Sequence, residues 1–241
     1  MLDESDITRD TLLRGRVKLI QPRHGFRSSL DPLLLAGFLA PPFGAFLDIG
    51  CASGALSFLL LAKDPAARGV GVEIQPRLAA LAEQGRQDNA FGDRFRVLAC
   101  DVRGDGAVPA QSFDLVATNP PFRPVGAGVL PPLSEKALAN HEVSLALHEW
   151  LEISALALQP SGRLGTVFPY DRWPELRTRL ATHGFLVARS RLVVPHQGET
   201  PTRILVEARR LAAEVQLEPP LVVHDGAGYS LEVRRMLGED V

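Results

Sequence analysis

The chain has 241 residues, 46% of them hydrophobic and 22% charged. That is the balance of a globular protein with a substantial core, not of a disordered or collagen-like chain. A formal net charge of −2 leaves a nucleic-acid partner neither required nor excluded, and two cysteines, Cys51 and Cys100, are too few for a disulfide framework or a four-ligand zinc site.

The opening MLDESDITRD is acidic and polar, which is neither a secretory signal nor a transit peptide. Arg9, Arg14, Arg16, Lys18, Arg23 and Arg27 then form a basic stretch, with a short strand at Leu19-Ile20. Such a cluster is expected at the rim of a site that meets phosphates. Asp31 as N-cap and Pro32 at the first helical position predict a helix over 33–39. From Pro32 to Ala62 the only charge is Asp48. Pro41-Pro42, Gly44, Gly50 and Gly54 nevertheless break that run before it reaches the roughly 20 residues of a membrane span, so a cytoplasmic protein is expected.

A regular alternation follows. Strands are predicted at 45–49, 69–74, 95–100, 113–118 and 163–168, and helices at 55–63, 76–89, 143–158 and 172–183. A Gly/Pro-rich loop at 123–140 precedes the third of these helices. Strands at 185–193 and 203–208 have no helix between them and should pair antiparallel, and a last short strand lies at 221–224. This pattern predicts an α/β, doubly wound sheet, mostly parallel with an antiparallel final strand pair. The chain reads as a single domain over 1–241, with a basic segment and helix at 1–40, a Rossmann-like core at 41–210 and a C-terminal extension at 211–241.

Leu47-Asp48-Ile49-Gly50-Cys51-Ala52-Ser53-Gly54 joins the first buried strand to its helix. Glycines there allow a sharp turn and close approach of a ligand. The spacing is not GxGxxG, and Asp48 would repel a pyrophosphate, so a nicotinamide cofactor fits poorly. A carboxylate suits a ligand bearing an ammonium and a sulfonium, such as S-adenosyl-L-methionine. Glu73 ends the second strand, where it can accept ribose hydroxyls, and Asp101 follows the third, where it can accept from an adenine amine.

Asn119-Pro120-Pro121-Phe122 ends the fourth strand, facing the same edge. An exocyclic base amine is a poor nucleophile because its lone pair is delocalised. The Asn119 side-chain oxygen and the Pro120 carbonyl can hold it as fixed acceptors, Pro120-Pro121 stiffens the backbone so that this carbonyl stays aimed, and Phe122 offers a stacking face. The six histidines do not fall at metal-ligand spacings, and no metal is expected. His141-Glu142 is read as capping the helix after the loop, and Trp150 and Trp173 as core or staple residues rather than base platforms.

LDIGCASG, GVEIQP, ACD and NPPF resemble the motifs of class I S-adenosylmethionine-dependent amino-methyltransferases. The segment 28–36, His141-Glu142, Thr202–Val206 and the ending Leu221–Asp225 with Tyr229-Ser230 resemble the bacterial tRNA1(Val) adenine-N6-methyltransferases. That resemblance implies methyl transfer to the N6 amine of adenine 37 of a tRNA. It assigns Asp48, Gly50, Gly54, Glu73 and Asp101 to the cofactor, and Asn119, Pro120, Pro121 and Phe122 to the base. Two positions depart from the family: Ala52 stands where its middle glycine stands, and Phe122 where tyrosine is commoner. Phe also occurs in guanine-N2 methyltransferases of rRNA, which keeps that reaction open. Glutamine N5-methylation of a protein stays open too, although about 40 residues before the first core strand leave little room for the helical domain such enzymes carry. A cofactor-dead RNA-binding protein is a third alternative, disfavoured by the intact acids and Asn119.

Overall fold

The computed structural model describes residues 4–121, 145–211 and 214–240. An antiparallel hairpin of β1 (Ile7–Leu12) and β2 (Val17–Pro22) leads to helix α1 (Asp31–Phe38). Then come β3 (Ala45–Ile49), α2 (Ala55–Lys63), β4 (Arg68–Glu73), α3 (Pro76–Asp88), β5 (Phe95–Ala99) and β6 (Phe113–Thr118). After residue 145 follow α4 (Leu147–Ala157), β7 (Leu158–Pro169), α5 (Trp173–Thr182), β8 (Leu186–Val194), β9 (Arg203–Arg209) and β10 (Gln216–Val222). A two-stranded ribbon, β11 (His224–Asp225) with β12 (Gly228–Tyr229), and α6 (Leu231–Met236) close the described chain.

The main sheet has eight strands in the order β10-β8-β9-β7-β6-β3-β4-β5. Strands β5, β4, β3, β6 and β7 run parallel, and β9 lies antiparallel between β7 and β8. The predicted doubly wound sheet and its antiparallel pair are therefore both present. Side chains alternate across it as the pleat requires. Phe46 of β3 and Leu115 of β6 join the core with α1 and α2, whereas Leu47 and Val116 join the opposite core with Trp150 and Leu151 of α4 and Leu176 and Leu180 of α5.

Four features differ from the sequence expectation. β1 reads as ITRDTL, too polar to show as a strand, because only one of its faces is covered. Asp31 does not cap α1; it is the first helical residue, Leu30 is the N-cap, and the Asp31 carboxylate accepts from Arg203 Nε at 3.3 Å. The last predicted strand is longer, β10, and joins the sheet parallel to β8 despite Pro219 and Pro220, which an edge strand with a register shift tolerates. The short helix α6 has no counterpart in the predicted elements. Among the described residues, no helix is long and apolar enough to cross a membrane, and no group of His, Cys, Asp and Glu could hold a metal ion.

Candidate active site

Because β3 to β6 are parallel neighbours, residues at their carboxyl ends share one edge, the usual ligand edge of such sheets. Gly50, Glu73, Asp101, Asn119 and Pro121 line a cleft of about 600 Å³ open to solvent. An adjoining recess of about 340 Å³ is lined by Asp48, Cys51, Ser53 and, again, Gly50 and Asn119. Gly54 and Pro120 are buried next to this lining in sequence, and Phe122, His141, Glu142 and the 123–140 loop lie outside the described residues.

Asp48 is 1% exposed. Its carboxylate accepts from the Ser57 hydroxyl at 2.6 Å and from the Ser57 backbone N–H, in the first turn of α2. Burial pushes its carboxyl up to about 7 despite these bonds, and the nearby Glu73 carboxylate adds to the shift. A cation in the recess would restore its ionisation. Glu73 is also buried; Oε2 accepts the Ala52 backbone N–H at 2.9 Å and Oε1 the Gln75 N–H at 2.8 Å. Asp101 is gripped by the Arg103 guanidinium at 2.7 and 2.9 Å, which holds its carboxyl below the ordinary range. Arg103 also reaches Glu149 of α4 at 3.2 Å, tying the cleft wall to that helix.

The turn between β3 and α2 has three residues at positive φ: Gly50 (+72°), Ala52 (+48°) and Gly54 (+92°). A Cβ on Gly50 would stand in open space, which here is the cleft, whereas one on Gly54 would lie 2.5 Å from the Phe58 ring. At the end of β6, the Thr118 hydroxyl donates to the Ile49 carbonyl at 2.9 Å and fastens that strand to β3. The next residue, Asn119, has a buried side-chain oxygen with no hydrogen-bond partner among the described residues. An orphaned buried acceptor costs free energy on the order of 1–3 kcal/mol unless a ligand supplies a donor.

Phe26, Gln75, Cys100 and Leu145 also line the cleft, and sequence reasoning assigns none of them to it. Phe26 is the one large apolar residue of the polar segment 21–29, a signal that could have marked it. The basic stretch does not form one cluster. Arg23 donates to the Ser5 and Ile7 carbonyls, and Arg27 pairs with Asp10 and donates to the Pro22 carbonyl, close to Phe26. Arg14 and Arg16 lie at the other end of the hairpin, about 17 Å away at roughly 3.4 Å per residue. The arrangement presents carboxylates, an amide oxygen and a side-chain-free backbone to one space, and so accepts a cationic, donor-rich ligand.

The family model for the methyltransferase small domain matches residues 30–170. A curated relative from Porphyromonas gingivalis, named tRNA1(Val) (adenine(37)-N6)-methyltransferase, is 31% identical over 89% of this chain and 88% of its own. Among solved structures, a predicted O-methyltransferase from Agrobacterium tumefaciens superposes with a TM-score of 0.67 at 21% identity, covering 86% of this chain and 95% of that one. TYW2 of M. jannaschii, solved in complex with AdoMet, gives 0.58 at 12% identity over 86% and 87%.

Proposed function

We infer the reaction of this chain from its kinship, for it belongs to the methyltransferase small domain family and to the family of the tRNA1(Val) (adenine(37)-N6)-methyltransferases. It is an S-adenosyl-L-methionine-dependent enzyme that methylates the exocyclic N6 amine of an adenine in tRNA, adenine 37 of tRNA1(Val). The observation that carries the assignment of roles is the buried oxygen of Asn119, without a hydrogen-bond partner among the described residues, at the edge where Asp48, Glu73 and Asp101 meet.

The donor set fits the cofactor. Asp48 and the turn Gly50–Gly54 hold its methionine part, Glu73 its ribose hydroxyls and Asp101 its adenine amine. When bound, it supplies a methyl group on a sulfonium, an electrophile that needs no further activation. Asn119 Oδ1 and the Pro120 carbonyl accept the two hydrogens of the substrate amine, and so favour a nitrogen whose lone pair is free to attack. Both acceptors are fixed before the base arrives, Asn119 by the fastened end of β6 and Pro120 by its ring and burial, so little reorganisation is needed. No side chain has to remove a proton before attack, because the methylated ammonium is acidic enough to lose one to water. Pro121 lines the cleft beside Asn119, and the motif alone assigns Phe122 to stacking on the base.

The test is methylation of a tRNA1(Val) transcript followed by mass mapping of its nucleosides. N6-methyladenosine at position 37 is expected with the wild type and none with Asn119→Ala, whose cofactor affinity should stay near wild type. Product on a guanine N2 of rRNA or on a protein glutamine, and none on the tRNA, would overturn the assignment.

A further inference from the structure

The C-terminal end of the chain holds an aromatic ladder that the chemistry above does not use. The His224 ring lies between two others, its centroid 5.2 Å from that of His196 and 5.2 Å from that of Tyr229, with the Tyr229 ring only 18° from parallel. His196 and Tyr229, the two ends, are more open to solvent than the half-buried His224 between them. Tyr229 is 42% exposed, the only exposed Phe, Tyr or Trp among the described residues. An aromatic side chain left in water at the end of a preassembled stack offers a ring face to a further ring.

The ladder is built rather than loose. His224 and Tyr229 are partners across the β11–β12 ribbon, which turns at Gly226 with φ +60°. The His224 backbone N–H donates to the Pro195 carbonyl at 2.9 Å, and the Ser230 hydroxyl to the Val222 carbonyl at 2.6 Å. These bonds fix the backbone that carries His224 and Tyr229 before any ligand arrives, which lowers the entropic cost of stacking on them.

Its place in the fold matters more. β8 is antiparallel to β9, which is antiparallel to β7, and β10 is parallel to β8. The carboxyl ends of β8 and β10, from which His196 and His224 follow, therefore lie on the same sheet edge as Asn119. Three to four strand spacings separate them from β6, roughly 15–20 Å, a distance the nucleotides flanking a flipped base can cover. Glu199 and Asp225 flank the ladder in sequence, so it suits the uncharged face of a base and not a phosphate.

We propose that His196, His224 and Tyr229 form a stacking platform for an unpaired nucleobase of the RNA substrate, on the same rim as the methylated base. The proposal rests on the tRNA assignment above for its substrate, but stacking on aromatic side chains is a general mode of single-stranded RNA recognition.

The experiment compares the full chain with His196→Ala/Tyr229→Ala and with Tyr229→Phe. Both end rings stand at the surface, so the fold should survive, and an unchanged cofactor affinity checks this. The alanine pair should weaken binding to tRNA1(Val), and raise its KM, roughly 5- to 100-fold, the worth of one stacked base. The salt dependence of binding should not move, and Tyr229→Phe should bind like the wild type. Unchanged tRNA affinity in the alanine pair would overturn the platform, as would a loss in Tyr229→Phe equal to that in the pair. An unstructured oligoribonucleotide and its abasic counterpart separate the two levels of inference. A wild type that prefers the base-bearing oligomer through these rings, yet leaves tRNA unmethylated, would sustain the platform and remove the activity. A wild type that methylates tRNA while the pair binds both oligomers as well as it does would remove only the platform.

Discussion

Ala52 donates its backbone N–H to Glu73 Oε2 at 2.9 Å, so the carboxylate at the end of β4 also pins the turn that follows β3. Glu73 thus does two things at once: it lines the cleft directly, and it fixes the backbone of the turn beside it. Glu73→Ala removes both. Loss of a charge-assisted hydrogen bond costs about 1.5–3 kcal/mol, so cofactor affinity should fall roughly ten- to hundredfold by calorimetry. Wild-type affinity in that variant would place the cofactor elsewhere.

The same turn carries a correctable strain. Ala52 sits at φ +48°, a left-handed conformation that costs a residue with a Cβ about 1–2 kcal/mol. Glycine relieves this but loses about 0.5–1 kcal/mol through the greater freedom of its unfolded chain. Ala52→Gly should therefore be neutral to stabilising, by up to about 1.5 kcal/mol in urea denaturation, with undiminished cofactor affinity. A clear destabilisation would show that the methyl group is needed for its packing beside Phe26, Leu78 and Leu81.

Asp48 gives the ligand-free protein a pH dependence. Its folded carboxyl stands at about 7 against an ordinary 3.8, so between those values the folded state holds a proton that the unfolded state has lost. The stability present below about pH 4 is then lost as pH rises through 7. Asp48→Asn keeps an acceptor for Ser57 and removes the buried charge. The ligand-free variant should exceed the wild type in stability at pH 8 by a few kcal/mol, since each pH unit between the two values is worth on the order of 1.4 kcal/mol, while losing cofactor affinity. Parallel stability–pH curves for the two proteins would contradict this.

Much of this site is legible from the chain because its parts follow strand ends. Bounds agree at Ala45–Ile49, Ala55–Lys63 and Phe113–Thr118, where apolar runs are punctuated by glycine or proline. Asp48, Glu73, Asp101 and Asn119 converge because a parallel sheet brings successive carboxyl ends to one edge. Residues supplied by distant segments carry no such mark. Phe26 arrives from the hairpin and Leu145 from beyond the loop, and their placement depends on tertiary packing alone. The basic stretch misleads for a related reason: proximity in sequence becomes separation along a hairpin. β10 is obscured by its prolines, and the Asp31 carboxylate turns to Arg203, a partner 172 positions away.

The two thiols should behave differently. Cys51 is buried, and burial together with the Asp48 and Glu73 carboxylates pushes its thiol well up, so it should resist alkylation in the folded protein. Cys100 is partly exposed and lines the cleft beside Asp101. Iodoacetamide should label Cys100 first, as read by peptide mass mapping, and S-adenosyl-L-methionine should slow that labelling. Equal labelling of both thiols, or no protection of Cys100, would count against the cleft as the cofactor site.

The divided basic stretch makes a directional prediction about how RNA docks. Arg23 and Arg27 stand at the cleft end of the hairpin, near Phe26, and each spends part of its guanidinium on the hairpin itself. Five N–H donors per guanidinium leave room for a phosphate as well. Arg14 and Arg16 stand at the far turn, and a Cβ on Gly238 would meet the Arg16 guanidinium at 2.7 Å, so Arg16 packs beside that segment. If the tRNA is held where its base is methylated, Arg23→Ala and Arg27→Ala should each flatten the salt dependence of tRNA binding by about 0.7–0.9 for every phosphate no longer neutralised. Arg14→Ala and Arg16→Ala should leave that slope unchanged, and cofactor affinity should hold in all four variants. The Asp10 partner of Arg27 supplies a control, since Asp10→Asn frees Arg27 without removing its charge and should not flatten the slope. The opposite result, with the slope governed by Arg14 and Arg16, would show that the RNA lies over the hairpin turn and reaches the cleft from that side.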